Sequence, residues 1–206
     1  MVEGAPSNAT LIDAERTALK EWAVLVDAMG RGDITAMVRK GGIREQRAGF
    51  AVRHDRFLLY PTFFHEKEAE LAARFRPTLY ASHAERPPEG VIRIRYVADA
   101  VAVWGVSDLR RLAGISMDHG LDWSAVESRF HYRNKPGVQV VAVRVSRLAR
   151  DAELPEARRY AGCVSWVELD TDVEVGGAMP VLDAAAFRRR VAALASVLGD
   201  PHDWRA

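Results

Sequence analysis

Two short stretches hold residue types that bind anions or move protons. The first is Arg39-Lys40-Gly41-Gly42-Ile43-Arg44-Glu45, followed by Phe57-Leu58-Leu59-Tyr60-Pro61-Thr62 and Phe63-Phe64-His65-Glu66. A glycine pair lets the backbone approach a ligand closely and take positive φ. Lys40, Glu45, Thr62, His65 and Glu66, gathered at the ends of two neighbouring strands, would suit anion binding or acid–base chemistry. A hairpin-like turn carrying surface charge accounts for the same residues. The second stretch is Arg129-Phe130-His131-Tyr132-Arg133. On a helix Arg129 and Arg133 share a face at i, i+4, with Tyr132 beside Arg129. Interleaved basic and aromatic side chains bind phosphates and stack bases. The competing reading makes Phe130 a core anchor and the rest a solvated helix end.

Charge points to the same two places. The 206 residues carry a formal net charge of +1, yet residues 39–56 hold six basic and two acidic side chains, and residues 129–150 hold six basic and none acidic. If these segments meet, Arg39, Lys40, Arg44, Arg47, Arg129, Tyr132, Arg133 and Lys135 form a nucleic-acid-binding face on an otherwise acidic body. Arginine, 25 of the 29 basic residues, is the better bidentate phosphate ligand. Two unrelated solvated surfaces would give the same count.

The elements that must position these residues are legible in part. Residues 1–9 read as a disordered leader, 10–199 as a single α+β domain and 200–206 as a tail. Leu19, Trp22, Ala23 and Val26 fall at i, i+3, i+4, i+7 and predict a helix over about 11–29, although Trp22–Val26 also suits a strand. Strands are expected at 34–40, at 57–60 (ended by Pro61), from 92 with a change of phase near 97–98 to 104, at 138–145 and at 163–169. Helices are expected at 66–74, from a Ser107 cap to Gly114, from the Ser124/Glu127 capping box to 132, and at 184–198 behind Asp183. Trp104 and Trp123 read as core, and Cys163 as a structural thiol in a buried strand.

Several chemistries are excluded. None of the four lysines follows a glycine, so there is no P-loop, and there is no GxGxxG, GxSxG or HExxH. No lysine has Asp or Glu two residues before it, the restriction-type nuclease spacing. One cysteine and six dispersed histidines predict no metal site and no cofactor. No apolar run approaches ~18 residues, and the N-terminus lacks a signal-peptide pattern, so no membrane association and a cytoplasmic location are expected.

The strings LKEWA at 19–23, RKGGIRE at 39–45, FLLYPTFFH at 57–65, RFHYR at 129–133 and GCVSWV at 162–167 resemble an uncharacterised prokaryotic family, domain of unknown function eighteen-oh-two, over roughly residues 18–195. The resemblance implies an association with restriction-type nucleases and a role in DNA defence. A looser similarity is to PUA-like domains of the ASCH kind, which implies a small mixed β-sheet or partly closed barrel with flanking helices. Some of those domains bind RNA or modified bases, and one branch hydrolyses modified nucleosides with Lys, Thr and Glu, which would fall on Lys40, Thr62 and Glu45. Three functions follow: a nucleic-acid-binding module recognising modified DNA or RNA, a small hydrolase or nuclease acting on a nucleotide-like substrate, and a non-catalytic interaction subunit.

Overall fold

Among the described residues seven strands form one mixed sheet whose hydrogen-bonded path does not close on itself, so the expected α+β class takes the form of a mixed sheet that is not a complete barrel. This computed structural model describes residues 13–40, 51–162 and 164–204. The leader, Gly41 and Gly42, Arg44, Glu45, Arg47 and Cys163 lie outside the described residues. The strands are β1 (Ala14–Trp22), β2 (Ala36–Arg39), β3 (Arg56–Thr62), β4 (Val91–Val106), β5 (Val138–Pro155), β6 (Trp166–Glu174) and β7 (Met179–Pro180). Their order is β2-β5-β4-β3-β1-β6, with β7 pairing the far part of β5. The helices are α1 (Ala23–Gly30), α2 (Arg76–Ala84), α3 (Leu109–Ala113), α4 (Trp123–His131) and α5 (Ala184–Leu198). Among the described residues no helix is long and apolar enough to cross a membrane.

The largest departure from the sequence reading is β1. Ala18 and Leu19 are both buried but belong to separate apolar clusters on opposite faces of the sheet. A central strand is apolar on both faces, and its junction with α1 at Trp22/Ala23 mimics a helical period. Pro61 does not end β3 either. It pairs with Glu21 in the parallel β1–β3 ladder, while β3 bonds β4 only through Arg56, Phe57 and Leu58. Beyond Leu58 one side of β3 has no neighbouring ladder, where a residue without an N–H is tolerated.

That divergence shapes the molecule. β4 continues with β5, from Val91↔Pro155 to Val106↔Val138, with register shifts at Ile94/Tyr96 and Ala100/Ala102 that account for the change of phase in the sequence. The sheet therefore forks between the end of β3 and the start of β4. In place of a helix over 66–74 there are two single 3₁₀ turns, Glu68–Glu70 and Ala73–Phe75, leading into α2, which the sequence reading missed. Asp108 and Asp122 cap α3 and α4 through their side chains, rather than Ser107 and Ser124; Asp183 caps α5 as expected. Trp104 is core, but Trp123 is 42% exposed, because the first residue of α4 lies at its open end.

Candidate functional site

A cleft of about 680 Å³ occupies the fork. Its floor comes from the C-terminal ends of β1 (Lys20, Glu21, Trp22), β2 (Arg39) and β3 (Tyr60, Pro61, Thr62), with Ser165 from the turn before β6. One wall is Phe63, Phe64, the loop from Arg86 to Gly90 and the start of β4 as far as Arg93; the other is Ser128, Arg129 and Tyr132 of α4 and the turn after it. Strand ends where neighbouring chains diverge leave a crevice that side chains from several elements can line.

The floor is a fixed polar cluster. Glu21 is 5% exposed, and its Oε2 accepts from Arg39 Nη1 at 2.9 Å while Oε1 accepts from the Trp22 N–H at 2.9 Å. The other terminal nitrogen of Arg39 donates to Ser165 Oγ at 2.8 Å. Ser165 is held in turn by its own backbone, whose carbonyl accepts from the Lys20 N–H at 2.8 Å. The Lys20 ammonium donates to the carbonyls of Tyr160 (2.6 Å) and Gly162 (3.0 Å) and sits 5.7 Å from the Tyr60 ring centre. Tyr60 donates its hydroxyl to Glu156 at 2.9 Å, and burial with that carboxylate holds the phenol protonated. Thr62 donates its hydroxyl to the Glu21 carbonyl at 3.1 Å.

The walls combine cations with rings. Arg129 donates to the Val38 carbonyl at 2.8 Å and lies 5.3 Å from the Trp22 ring; burial works against its charge, and Glu21 supports it. Arg86 lies 5.3 Å from Phe63 and 5.4 Å from Phe64. Phe64 and Tyr132 are 64% and 38% exposed, large apolar surfaces at the mouth. In all, Lys20, Arg39, Lys40, Arg86, Arg93 and Arg129 line the cleft against three carboxylates, Glu21, Glu89 and Glu156.

The expected residues divide into those the fold gathers here and those it uses elsewhere. Arg39, Lys40, Thr62, His65, Arg129 and Tyr132 line the cleft. Lys40 is nevertheless committed: its ammonium donates to the carbonyls of Phe130 (3.1 Å), Gly137 (2.6 Å) and Lys135. Burial and Lys135 pull its pKa below the usual lysine value. Glu66 faces away from the cleft, with its side chain fully buried. It accepts from the Val24 N–H at the start of α1 (3.1 Å) and pairs with His83, while desolvation raises its pKa. The expected face shared by Arg129 and Arg133 does not form: α4 ends at His131, and Arg133 takes left-handed backbone (φ 59°) with its guanidinium 5.3 Å from the Tyr132 ring.

Sequence reasoning missed Lys20, Glu21, Trp22, Tyr60, Arg86 and Ser165. The one available signal was Lys20-Glu21, a charged pair set between apolar Ala18-Leu19 and Trp22-Ala23, where burial demands partners.

The geometry defines an open-sheet α+β protein with a cationic, aromatic-rimmed cleft at its strand ends. The chain belongs to the family described as Domain of unknown function (DUF1802), whose model matches residues 18–193. No curated protein matches the chain in sequence. Among solved structures it is similar to the crystal structure of ASCH from Zymomonas mobilis, at 12% identity and a TM-score of 0.42, covering 89% of this chain and 96% of that one. A superposition this loose carries no functional argument, so the reading below rests on the chain's own residues.

Proposed function

We propose that the protein is a nucleic-acid-binding module that takes part of a single strand into the cleft. The observation that supports this most is the pairing of a cation-lined cleft, with Arg86 5.4 Å from the Phe64 ring, and two exposed rings, Phe64 and Tyr132, around a concavity of about 680 Å³. Ligand sites for small organic groups span roughly 300–1,000 Å³, so a nucleotide fits. Cations hold the backbone, and rings at the mouth stack neighbouring bases irrespective of sequence. Modified bases are the finer expectation within this reading. The restriction-type nuclease partner suggested by the family resemblance draws no support from the cleft.

The hydrolase reading is weaker on the same geometry. The Lys40 amine is spent on three carbonyls and the Glu66 carboxylate on a helix N-terminus and His83. Neither is presented to a ligand as an acid or base.

A titration against labelled single-stranded DNA, single-stranded RNA and duplex DNA tests the proposal. With about three phosphate contacts, single-strand affinity falls roughly 20-fold between about 50 and 200 mM salt. Phe64→Ala and Tyr132→Ala each weaken binding by roughly tenfold through lost stacking. Tyr80→Ala, exposed on α2 away from the cleft, leaves it unchanged. Failure to bind any of the three at low salt overturns the reading and leaves the interaction subunit.

A further inference from the structure

We infer that the cleft floor reads the hydrogen-bonding edge of an unpaired base, with Glu21 accepting an N–H and the Ser165 hydroxyl donating to an adjacent oxygen or ring nitrogen. This rests on the nucleic-acid reading above and names the part of the ligand that is recognised.

The two groups stand side by side because one planar guanidinium holds both. Arg39 donates from Nη1 to Glu21 Oε2 and from Nη2 to Ser165 Oγ, at 2.9 and 2.8 Å. A hydroxyl that accepts keeps its own proton to donate, and an ionised carboxylate has about four acceptor positions. The Trp22 N–H and Arg39 take two of those on Glu21. Both residues line the cleft and are nearly buried, at 5% and 8% exposure, so any ligand reaching them is desolvated there.

Rigid backbone fixes the pair further. Glu21 is in register with Pro61 in the parallel ladder, and the Ser165 carbonyl takes the Lys20 N–H. An acceptor and a donor held in this way complement a group that carries N–H next to C=O or a ring nitrogen. Every nucleobase has such an edge, and in a duplex the opposite strand occupies it. A sugar–phosphate backbone has no N–H to offer Glu21. The cations of the wall hold phosphate whatever the base, whereas the floor distinguishes a base from its absence and a free edge from a paired one.

Equilibrium binding of the full chain to three labelled oligonucleotides of equal length tests this: a single strand, the same strand annealed to its complement, and a single strand of abasic sites. The wild-type protein binds the base-bearing single strand at least about tenfold more tightly than the other two, the scale of one good paired contact to a base edge. Glu21→Gln puts an amide donor where an acceptor stood and lowers that preference by about tenfold, leaving the part that stacking on Phe64 and Tyr132 supplies. The preference is read as the ratio of base-bearing to abasic affinity in each variant, so a change in backbone binding common to both strands cancels. Ser165→Ala reduces the preference in the same direction without placing a new group on Arg39, and it decides the matter if Glu21→Gln fails to fold. A preference unchanged in both Glu21→Gln and Ser165→Ala overturns the edge-reading inference and leaves backbone binding and stacking intact. Equal wild-type affinity for base-bearing and abasic strands overturns edge reading and stacking together. No binding to any strand overturns both this inference and the nucleic-acid reading.

Discussion

The imidazole of His119 is buried in the turn that precedes α4. Its Nδ1 accepts the Leu121 N–H at 3.1 Å, which places the ring proton on Nε2, and Nε2 has no hydrogen-bond partner among the described residues. Desolvation, helped by the nearby charges of Arg129 and Arg74, pulls its pKa from the ordinary 6.5 down to about 4. The unfolded chain therefore takes up this proton first as pH falls. The contribution of neutral His119 is complete above about pH 6.5 and is lost by about pH 4, amounting to about 3 kcal/mol. Glu66 and Asp118, both raised by desolvation, act in the opposite sense and regain stability on acidification. Urea denaturation at a series of pH values is expected to show stability falling from pH 6.5 to 4, with a shallower fall in His119→Gln. An identical slope in the variant would show that His119 does not control it. The burial of His119 is not legible in sequence: it sits between Asp118 and Gly120, as in a surface turn, and only its tertiary surroundings remove water from it.

At the scale of elements, the short β2 does more than complete an edge. Its end carries Arg39 into the floor and Lys40 into the carbonyls of the α4–β5 connection, where Arg133 and Asn134 both take left-handed backbone. Lys40 thus acts as a staple that holds Tyr132 at the mouth of the cleft. Replacing it with Met removes charge-assisted bonds to three carbonyls and is expected to cost about 1–3 kcal/mol of stability in denaturant unfolding. Lys40→Arg should recover part of that loss. If Lys40→Met unfolds at the wild-type urea concentration, the ammonium contributes nothing to holding the loop. Strands whose alternation or apolar run was clear, β4 and β5, were legible, as was α5 with its Asp183 cap. β1 and the continuation of β3 through Pro61 were not, because both depend on which neighbour lies alongside.

Across the whole molecule, the described residues of the two basic segments meet at their adjoining ends. Arg39 pairs with Gln139 in the β2–β5 ladder, Lys40 reaches the turn after α4, and Arg129 reaches back to Val38. Three other described basic residues of these segments go elsewhere: Arg56 to Asp99 and Asp13, Arg147 to Asp151 and the Arg95 carbonyl, and Arg150 to an exposed position on β5 away from the cleft. Meanwhile Arg86 and Arg93, from a segment of balanced charge, line the site. A charge reversal at Arg86 should therefore weaken nucleic-acid binding by roughly tenfold or more at low salt, while the same reversal at Arg150 should leave it nearly unchanged. Equal losses from both would mean that the positive surface, rather than the cleft, does the binding.

The sequence by itself determined the α+β class, most of the strands, the capped C-terminal helix and the two stretches from which Arg39, Thr62, Arg129 and Tyr132 come. These follow from periodicity, turn residues and local charge, which act over a few positions of the chain. Only the tertiary structure decided that β1 is a strand, that β3 leaves β4 after Leu58, and that Glu21, Arg39 and Ser165 meet at the bottom of the resulting fork. Those three residues are separated by 18 and 126 positions, and nothing local specifies the contact. It arises because a parallel pair and an antiparallel edge strand bring three distant chain ends to one side of the sheet, where a buried carboxylate needs a cation.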